Sequence, residues 1–276
     1  MGGSEMKVML KRLAFLLGLF ACLVLVGCGD DDGGVGTDEN VDNTNFSAQE
    51  PFHFRVDVVG QQLLELDAMS GTIAITGVAE SDSVVIAGVR RVRSESTEDA
   101  EEYLQYLEID VNNLQNRVQV ITVQPSKSYG RSYEVDYEIL VPEEFVIFVE
   151  SINGPISIDS IENTVTFINV NGDVSLDDMV GSVSGALVNG DINATVDLPD
   201  GGILSLAVTN GDIDLLIPQT TSAEFSATVT NGDIDIDNLT LTGQEITATS
   251  WTGTLGAGDG TISLIVTNGM INVTGF

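Results

Sequence analysis

Few residues in this chain could carry chemistry. His53 is the sole histidine, and Cys22 and Cys28 are the only cysteines. A cysteine nucleophile needs a base beside it, and a zinc site needs several His or Cys ligands, so the composition argues against both. His53 opens a strand-like stretch and reads as incidental. Carboxylates are what remain. Residues 132–276 hold 22 Asp and Glu and no Lys or Arg. The seven basic residues of 28–276, Arg55, Arg90, Arg91, Arg93, Arg117, Lys127 and Arg131, all precede that stretch. A lyase acting on uronates needs a cationic base and cations for the substrate's carboxylates, which the C-terminal half does not supply. A glycan hydrolase with paired carboxylates is the catalytic alternative, but repetition of the sequence explains periodic Asp residues as well. The chain therefore reads as no enzyme. With a net charge of −32 and a pI near 4.1 it is also no nucleic-acid binder, since that attraction is Lys and Arg to phosphate.

Cys28 is the exception among the thiols. Lys7, Lys11 and Arg12 precede an apolar run from Leu13 to Val26 that is short for a bilayer span and laid out like an export signal. Leu25-Val26-Gly27-Cys28 resembles the lipobox of bacterial lipoproteins, which implies removal of residues 1–27 and a lipid on the Cys28 thiol. Cys22 would leave with the signal, so no disulfide framework exists and stability must come from burial. Residues 28–50 lack apolar periodicity and read as a flexible acidic tether. Gly29 rather than Asp follows the cysteine, which by the same resemblance favours the outer membrane.

The elements that must position everything else are repeats. Asn-Gly recurs at Asn153-Gly154, Asn171-Gly172, Asn189-Gly190, Asn210-Gly211, Asn231-Gly232 and Asn268-Gly269. The first four gaps are 18, 18, 21 and 21 residues, and a further step of 21 lands on Thr252-Gly253, a degenerate copy. Apolar residues stand six and four positions before each Asn and three and five after it, as in Leu204, Leu206, Ile213 and Leu215. Each copy is thus two short strands of period two around a corner where Gly supplies a positive φ. Counting by twos carries the Asn side chain inward, which predicts a stack of amides bonded from copy to copy. Asn-Gly hairpins in an antiparallel sandwich are the rival arrangement. A nearly fixed period and a register held over seven copies favour an all-β, parallel β-solenoid, β-helix-like in form. It would have about seven repeats of 16–21 residues over 143–276. Residues 51–142 read as an irregular, mostly-β capping part with one short helix over Glu98–Leu107, capped by Ser96 or Thr97. Met69-Ser70-Gly71-Thr72-Ile73 looks like an earlier version of the corner.

Stacking sharpens the question of the carboxylates. Turns of a solenoid lie about 4.8 Å apart, so Asp212 and Asp214 would sit over Asp233 and Asp235 and repel them. Calcium, which takes oxygen ligands, is the cofactor such a set would admit. The favoured reading is a solvated acidic face with no cofactor, because Ser175, Asn193 and Met270 interrupt the Asp positions.

From Leu63 to Phe276 the layout resembles bacterial β-solenoid proteins described as "putative adhesin", a domain of unknown function. The resemblance rests on Gly71-Thr-Ile-Ala-Ile75, the segment Ser94-Glu-Ser-Thr-Glu-Asp-Ala-Glu-Glu102, Tyr137-Glu-Ile-Leu-Val-Pro142, Glu150-Ser-Ile-Asn-Gly-Pro-Ile156 and the two Thr-Asn-Gly-Asp-Ile copies. It implies adhesion and transfers no active residue. The expected protein is a lipid-anchored cell-envelope solenoid, a non-catalytic scaffold or adhesin-like module. Its partners would be the membrane, through the anchor, and an envelope protein or extracellular glycan. A calcium-dependent carbohydrate-binding or envelope-sensing module is the alternative. Trp251 is the single Trp and all five Tyr lie outside the repeats, which argues against a sugar-stacking groove.

Overall fold

The computed structural model describes residues 45–276; the signal segment, Cys28 and the tether up to residue 44 lie outside the described residues. β1 (Phe46–Asp57), β2 (Leu63–Asp67), β3 (Ile73–Val78) and β4 (Ser83–Ser94) precede the helix α1 (Thr97–Leu104). β5 (Glu108–Asn113), β6 (Val118–Val123) and β7 (Ser132–Pro142) follow it. Strand pairs around Asn-Gly corners come next: β8 (Val146–Asn153) with β9 (Ile156–Ile161), β10 (Val165–Asn171) with β11 (Val174–Val180), and β12 (Val183–Asn189) with β13 (Ile192–Asp197). They continue as β14 (Ile203–Asn210) with β15 (Ile213–Ile217) and β16 (Ala223–Asn231) with β17 (Ile234–Asp237). β18 (Leu241–Ile246) and β19 (Ser250–Leu255) then precede β20 (Gly260–Asn268) and β21 (Ile271–Gly275).

Each pair sends one strand to each of two mostly parallel sheets. One sheet runs β1-β4-β7-β3-β9-β11-β13-β15-β21-β17, the other β5-β6-β2-β8-β10-β12-β14-β20-β16-β19-β18. The period-two pattern does the work expected of it. Ala223, Phe225, Ala227 and Val229 of β16 are buried while Glu224 and Thr228 face outward. One contiguous core of such residues runs between the sheets from Val56 to Val273. Burial of these side chains, at roughly 1.5–3 kcal/mol each, is the main source of stability for residues 45–276, which contain no cysteine.

The order of turns departs from the order of the sequence at both ends. β20 lies between β14 and β16, and β21 between β15 and β17, so the copy at Asn268 is inserted between those at Asn210 and Asn231. At the other end β2 and β3 lie between the turns β6–β7 and β8–β9. Residues 51–142 are therefore not a separate capping part. β2, β3, β6 and β7 belong to the stack, and the cap is β1, β4, β5 and α1. β4 lies antiparallel on β7, β1 on β4, and β5 on β6.

Two further expectations are corrected. Thr252-Gly253 is no repeat corner: β19 runs antiparallel to both β16 and β18. The local hairpin wins because Thr247 N–H bonds Ser250 C=O and Leu241 and Leu255 take the buried places, leaving Ile246 57 % exposed. This hairpin covers the edge of one sheet, while the other ends on β17, which is short and acidic, both features that discourage edge pairing. Residues 46–50, read as the end of the tether, instead belong to β1, which begins at Phe46 and pairs with β4 along its whole length. The helix, predicted over Glu98–Leu107, spans Thr97–Leu104, and Ser96 is its cap, accepting from Asp99 N–H.

Candidate functional site

The corner residues form a continuous line along the stack. Asn171 Nδ2 donates to Asn153 Oδ1 at 2.8 Å, Asn189 to Asn171 at 2.8 Å, and Asn210 to Asn189 at 2.8 Å. Across the inserted turn, Asn268 donates to Asn210 at 2.8 Å and Asn231 to Asn268 at 2.9 Å. Asn153 donates to Ser70 Oγ at 3.3 Å, so the Ser70-Gly71 corner joins the same line. The side chains lie at the surface and not inward as the count by twos suggested. The last inward positions are two residues earlier, at Ser151, Asn169, Leu187, Val208, Val229 and Val266, all buried. Beyond them the backbone leaves the core to turn. Net contributions of about 0.5–1.5 kcal/mol per bond belong to such neutral pairs.

Glycine is required at the corner for two reasons. Gly154, Gly172, Gly190, Gly211, Gly232 and Gly269 have φ between +121° and +149°. A Cβ on Gly211 would also stand 2.0 Å from the carbonyl oxygen of Gly190 in the turn below.

After Gly190, Gly211 and Gly269 the next backbone N–H meets no carbonyl, and an aspartate of the adjoining turn supplies the acceptor. Asp191 N–H donates to Asp173 Oδ1 at 3.0 Å, Asp212 N–H to Asp191 at 2.9 Å, and Met270 N–H to Asp212 at 2.7 Å. Asp136 does the same for Thr72 at 2.9 Å. Pro155 occupies this position in its own turn and has no N–H to satisfy. Sequence reasoning missed Asp136, because Val135 stands where Gly would mark the corner. It also missed Asn169, buried and donating to the carbonyls of Gly154 and Gly172 at 3.0 and 3.1 Å.

The four aspartates considered for calcium are not one cluster. Asp212 and Asp214 belong to the turn β14–β15, and Asp233 and Asp235 to β16–β17, with Met270 and Asn272 of the inserted turn between them. Asn272 Nδ2 donates to Asp214 Oδ1 at 2.7 Å, so an amide stands where a stacked carboxylate was expected. Among the described residues no group of three or more His, Cys, Asp or Glu is placed to hold a metal ion.

The arginines are likewise engaged. Arg91 pairs with Glu134 at 3.0 Å, Arg90 with Glu50 at 2.5 Å, Arg117 with Glu65 at 2.9 Å, and Arg55 with Asp57 at 3.3 Å. Arg131 meets Asp99 through Nε at 2.6 Å and Nη2 at 2.5 Å, and its guanidinium lies 3.4 Å from the centre of the Tyr103 ring. The guanidinium holds the Asp99 carboxyl below its ordinary value of 3.8, helped by the Ser94 hydroxyl against partial desolvation. This cluster pins α1 to the cap. Burial, opposed by the 2.7 Å hydrogen bond with Thr122, pushes the Tyr137 hydroxyl up to about 12, so it stays neutral. Beside the cap an open cleft of about 320 Å³ is lined by Pro51, Phe52, Phe54, Arg90, Glu108 and Asp110 among others. Its lining offers aromatic rings and carboxylates.

The family model described as Toastrack DUF4097 matches residues 42–274. A solved structure described as a putative cell adhesion protein from Clostridium sporogenes ATCC 15579 is 12% identical, with a TM-score of 0.45, covering 82% of this chain and 100% of that one. Another, described as a putative adhesin from Parabacteroides distasonis ATCC 8503, is 11% identical with a TM-score of 0.23, covering 81% of this chain and 97% of that one. No curated protein matches the chain.

Proposed function

The chain belongs to the Toastrack DUF4097 family, and from that premise we propose that it is a non-catalytic, lipid-anchored β-solenoid of the cell envelope. It would serve as a scaffold or adhesin-like binding module. Eight two-strand turns, six of them with Asn-Gly corners, make up the solenoid in this reading. The observation that carries it is how the polar residues are used. Corner amides bond to corner amides, corner carboxylates cap backbone N–H groups, and arginines pair with acids. The chemistry visible in the sequence is spent on holding turns together, which leaves long Ser, Thr and Asp faces for contact. The lipid on Cys28 would tether this rod to the outer membrane, with an envelope protein or extracellular glycan as its partner.

Metabolic labelling with an alkyne fatty acid tests the anchor. The wild-type chain takes up label and fractionates with membranes, and Cys28→Ser does neither. Label retained by Cys28→Ser contradicts the anchor. Incubation of the purified protein with envelope glycans tests the absence of catalysis: retention without new reducing ends is expected. Release of reducing ends that Asp→Asn substitution abolishes would instead establish the hydrolase.

A further inference from the structure

Asn-Gly is the dipeptide most prone to spontaneous succinimide formation, because an unhindered glycine nitrogen can reach the preceding side-chain carbonyl. Six surface copies would make this chain chemically fragile if all were alike. The structure makes five of them alike and one different. In five corners the glycine N–H is held by the next turn: Gly154 by Asn171 C=O, Gly172 by Asn189, Gly190 by Asn210, Gly211 by Asn268 and Gly269 by Asn231. In those same corners the Asn Oδ1 accepts a rung from the neighbouring amide. Attack there needs a ladder bond and two rungs to open together. Asn231-Gly232 lies in the outermost turn of the line. Among the described residues, no acceptor meets Gly232 N–H and no donor meets Asn231 Oδ1. The strand that follows, β17, has four residues and a neighbour on one side only.

We propose that Asn231 is a site of self-modification by deamidation, from which the other five Asn-Gly corners are protected by the stack. The Gly232 nitrogen loses its proton and bonds to Asn231 Cγ, and the side-chain nitrogen leaves as ammonia. Water then opens the five-membered imide at either carbonyl, giving aspartate or isoaspartate. Aspartate cannot donate the last rung to Asn268 Oδ1. Isoaspartate adds a backbone methylene at the corner and shifts β17 out of register. Either product places a new negative charge beside Asp233 at the acidic edge. The modification thus marks the age of the molecule at the end of the stack and loosens the edge that closes it.

The sequence supplies its own control. Val208-Thr-Asn-Gly-Asp-Ile-Asp214 and Val229-Thr-Asn-Gly-Asp-Ile-Asp235 are identical, so intrinsic reactivity at Asn210 and Asn231 is equal and only the environment differs. The purified full chain is aged at mildly alkaline pH and mapped by peptide mass spectrometry, with isoaspartyl methyltransferase labelling of the products. Asn231 is expected to deamidate at least about tenfold faster than Asn210 in the folded protein, reflecting its lower cost of local opening. The two should react at equal rates in denaturant. Equal rates in the folded protein, or Asn210 leading, would overturn the proposal. Asn231→Gln should remove most of the label from the folded chain, and label undiminished in that variant would overturn it equally.

Discussion

Two residues set the terms at the smallest scale. Gly211 is held both by its φ of +137° and by the Gly190 carbonyl, 2.0 Å from where a Cβ would stand. Gly130 has a φ of +84° with nothing within 4 Å. Gly211→Ala should therefore cost about 3 kcal/mol or more, and Gly130→Ala about 1 kcal/mol, measured by equilibrium denaturation. Equal costs would mean that φ alone, and not the stacked neighbour, demands glycine. Asp99 governs a pH effect. The Arg131 guanidinium depresses its folded pKa below 3.8, so the stability it contributes is present above that value and lost as pH falls through the folded pKa. Asp99→Asn should lower stability at neutral pH and shrink that loss below pH 4. Glu143 has the opposite sign: desolvation first, then Glu162, Glu144 and Glu80, raise its pKa, so protonation relieves a strain that is present at neutral pH.

At the scale of elements, the inserted turn is the feature with most consequence. Ile262, Leu264 and Val266 of β20 and Ile271 and Val273 of β21 are buried, with neighbours on both sides. At roughly 1.5–3 kcal/mol each, their loss is of order 10 kcal/mol, comparable with the ~5–15 kcal/mol that holds a whole domain. Deleting residues 260–276 should therefore abolish cooperative unfolding followed by circular dichroism. A wild-type melting curve after that deletion would show that β20 and β21 are a dispensable terminal repeat. The strands themselves were legible, since period two marks each one, and Ser70-Gly71 was visible as a corner. Their order in space was not. Asn210 and Asn231 sit in identical heptapeptides, so no local feature states that Asn268 comes between them. Thr252-Gly253 fell on the arithmetic of the period while its neighbours favoured a hairpin. The carboxylates were legible as a periodic set, but their use as acceptors for the next turn's N–H depends on parallel stacking, which only the structure displays.

For the whole molecule the decisive quantity is charge. Residues 28–276 carry 41 acids against 7 bases, and all of the bases lie toward the cap. Repulsion along the acidic faces is screened by any salt. Specific calcium sites would instead stabilise the folded state by mass action. Because Met270 and Asn272 separate Asp212 and Asp214 from Asp233 and Asp235, millimolar Ca²⁺ should raise the melting temperature no more than Na⁺ at matched ionic strength. A calcium-specific shift abolished by Asp212→Asn with Asp233→Asn would promote the calcium-dependent binding module.

The amide line, the capping carboxylates and the exposed Asn231 edge all follow from the order of the turns. Ser205 and Ser263 are register partners on β14 and β20, and Ser263 and Ser226 on β20 and β16. Adjacent parallel strands lie about 4.8 Å apart, within the ~4.4–6.8 Å that a disulfide spans between Cα atoms. With Cys22 and Cys28 replaced by Ser, oxidation of paired cysteine variants reads the order directly on non-reducing gels and by mass spectrometry. Ser205→Cys with Ser263→Cys, and Ser263→Cys with Ser226→Cys, should crosslink, while Ser205→Cys with Ser226→Cys should not. A disulfide between positions 205 and 226, with none to 263, would contradict the inserted turn and everything built on it.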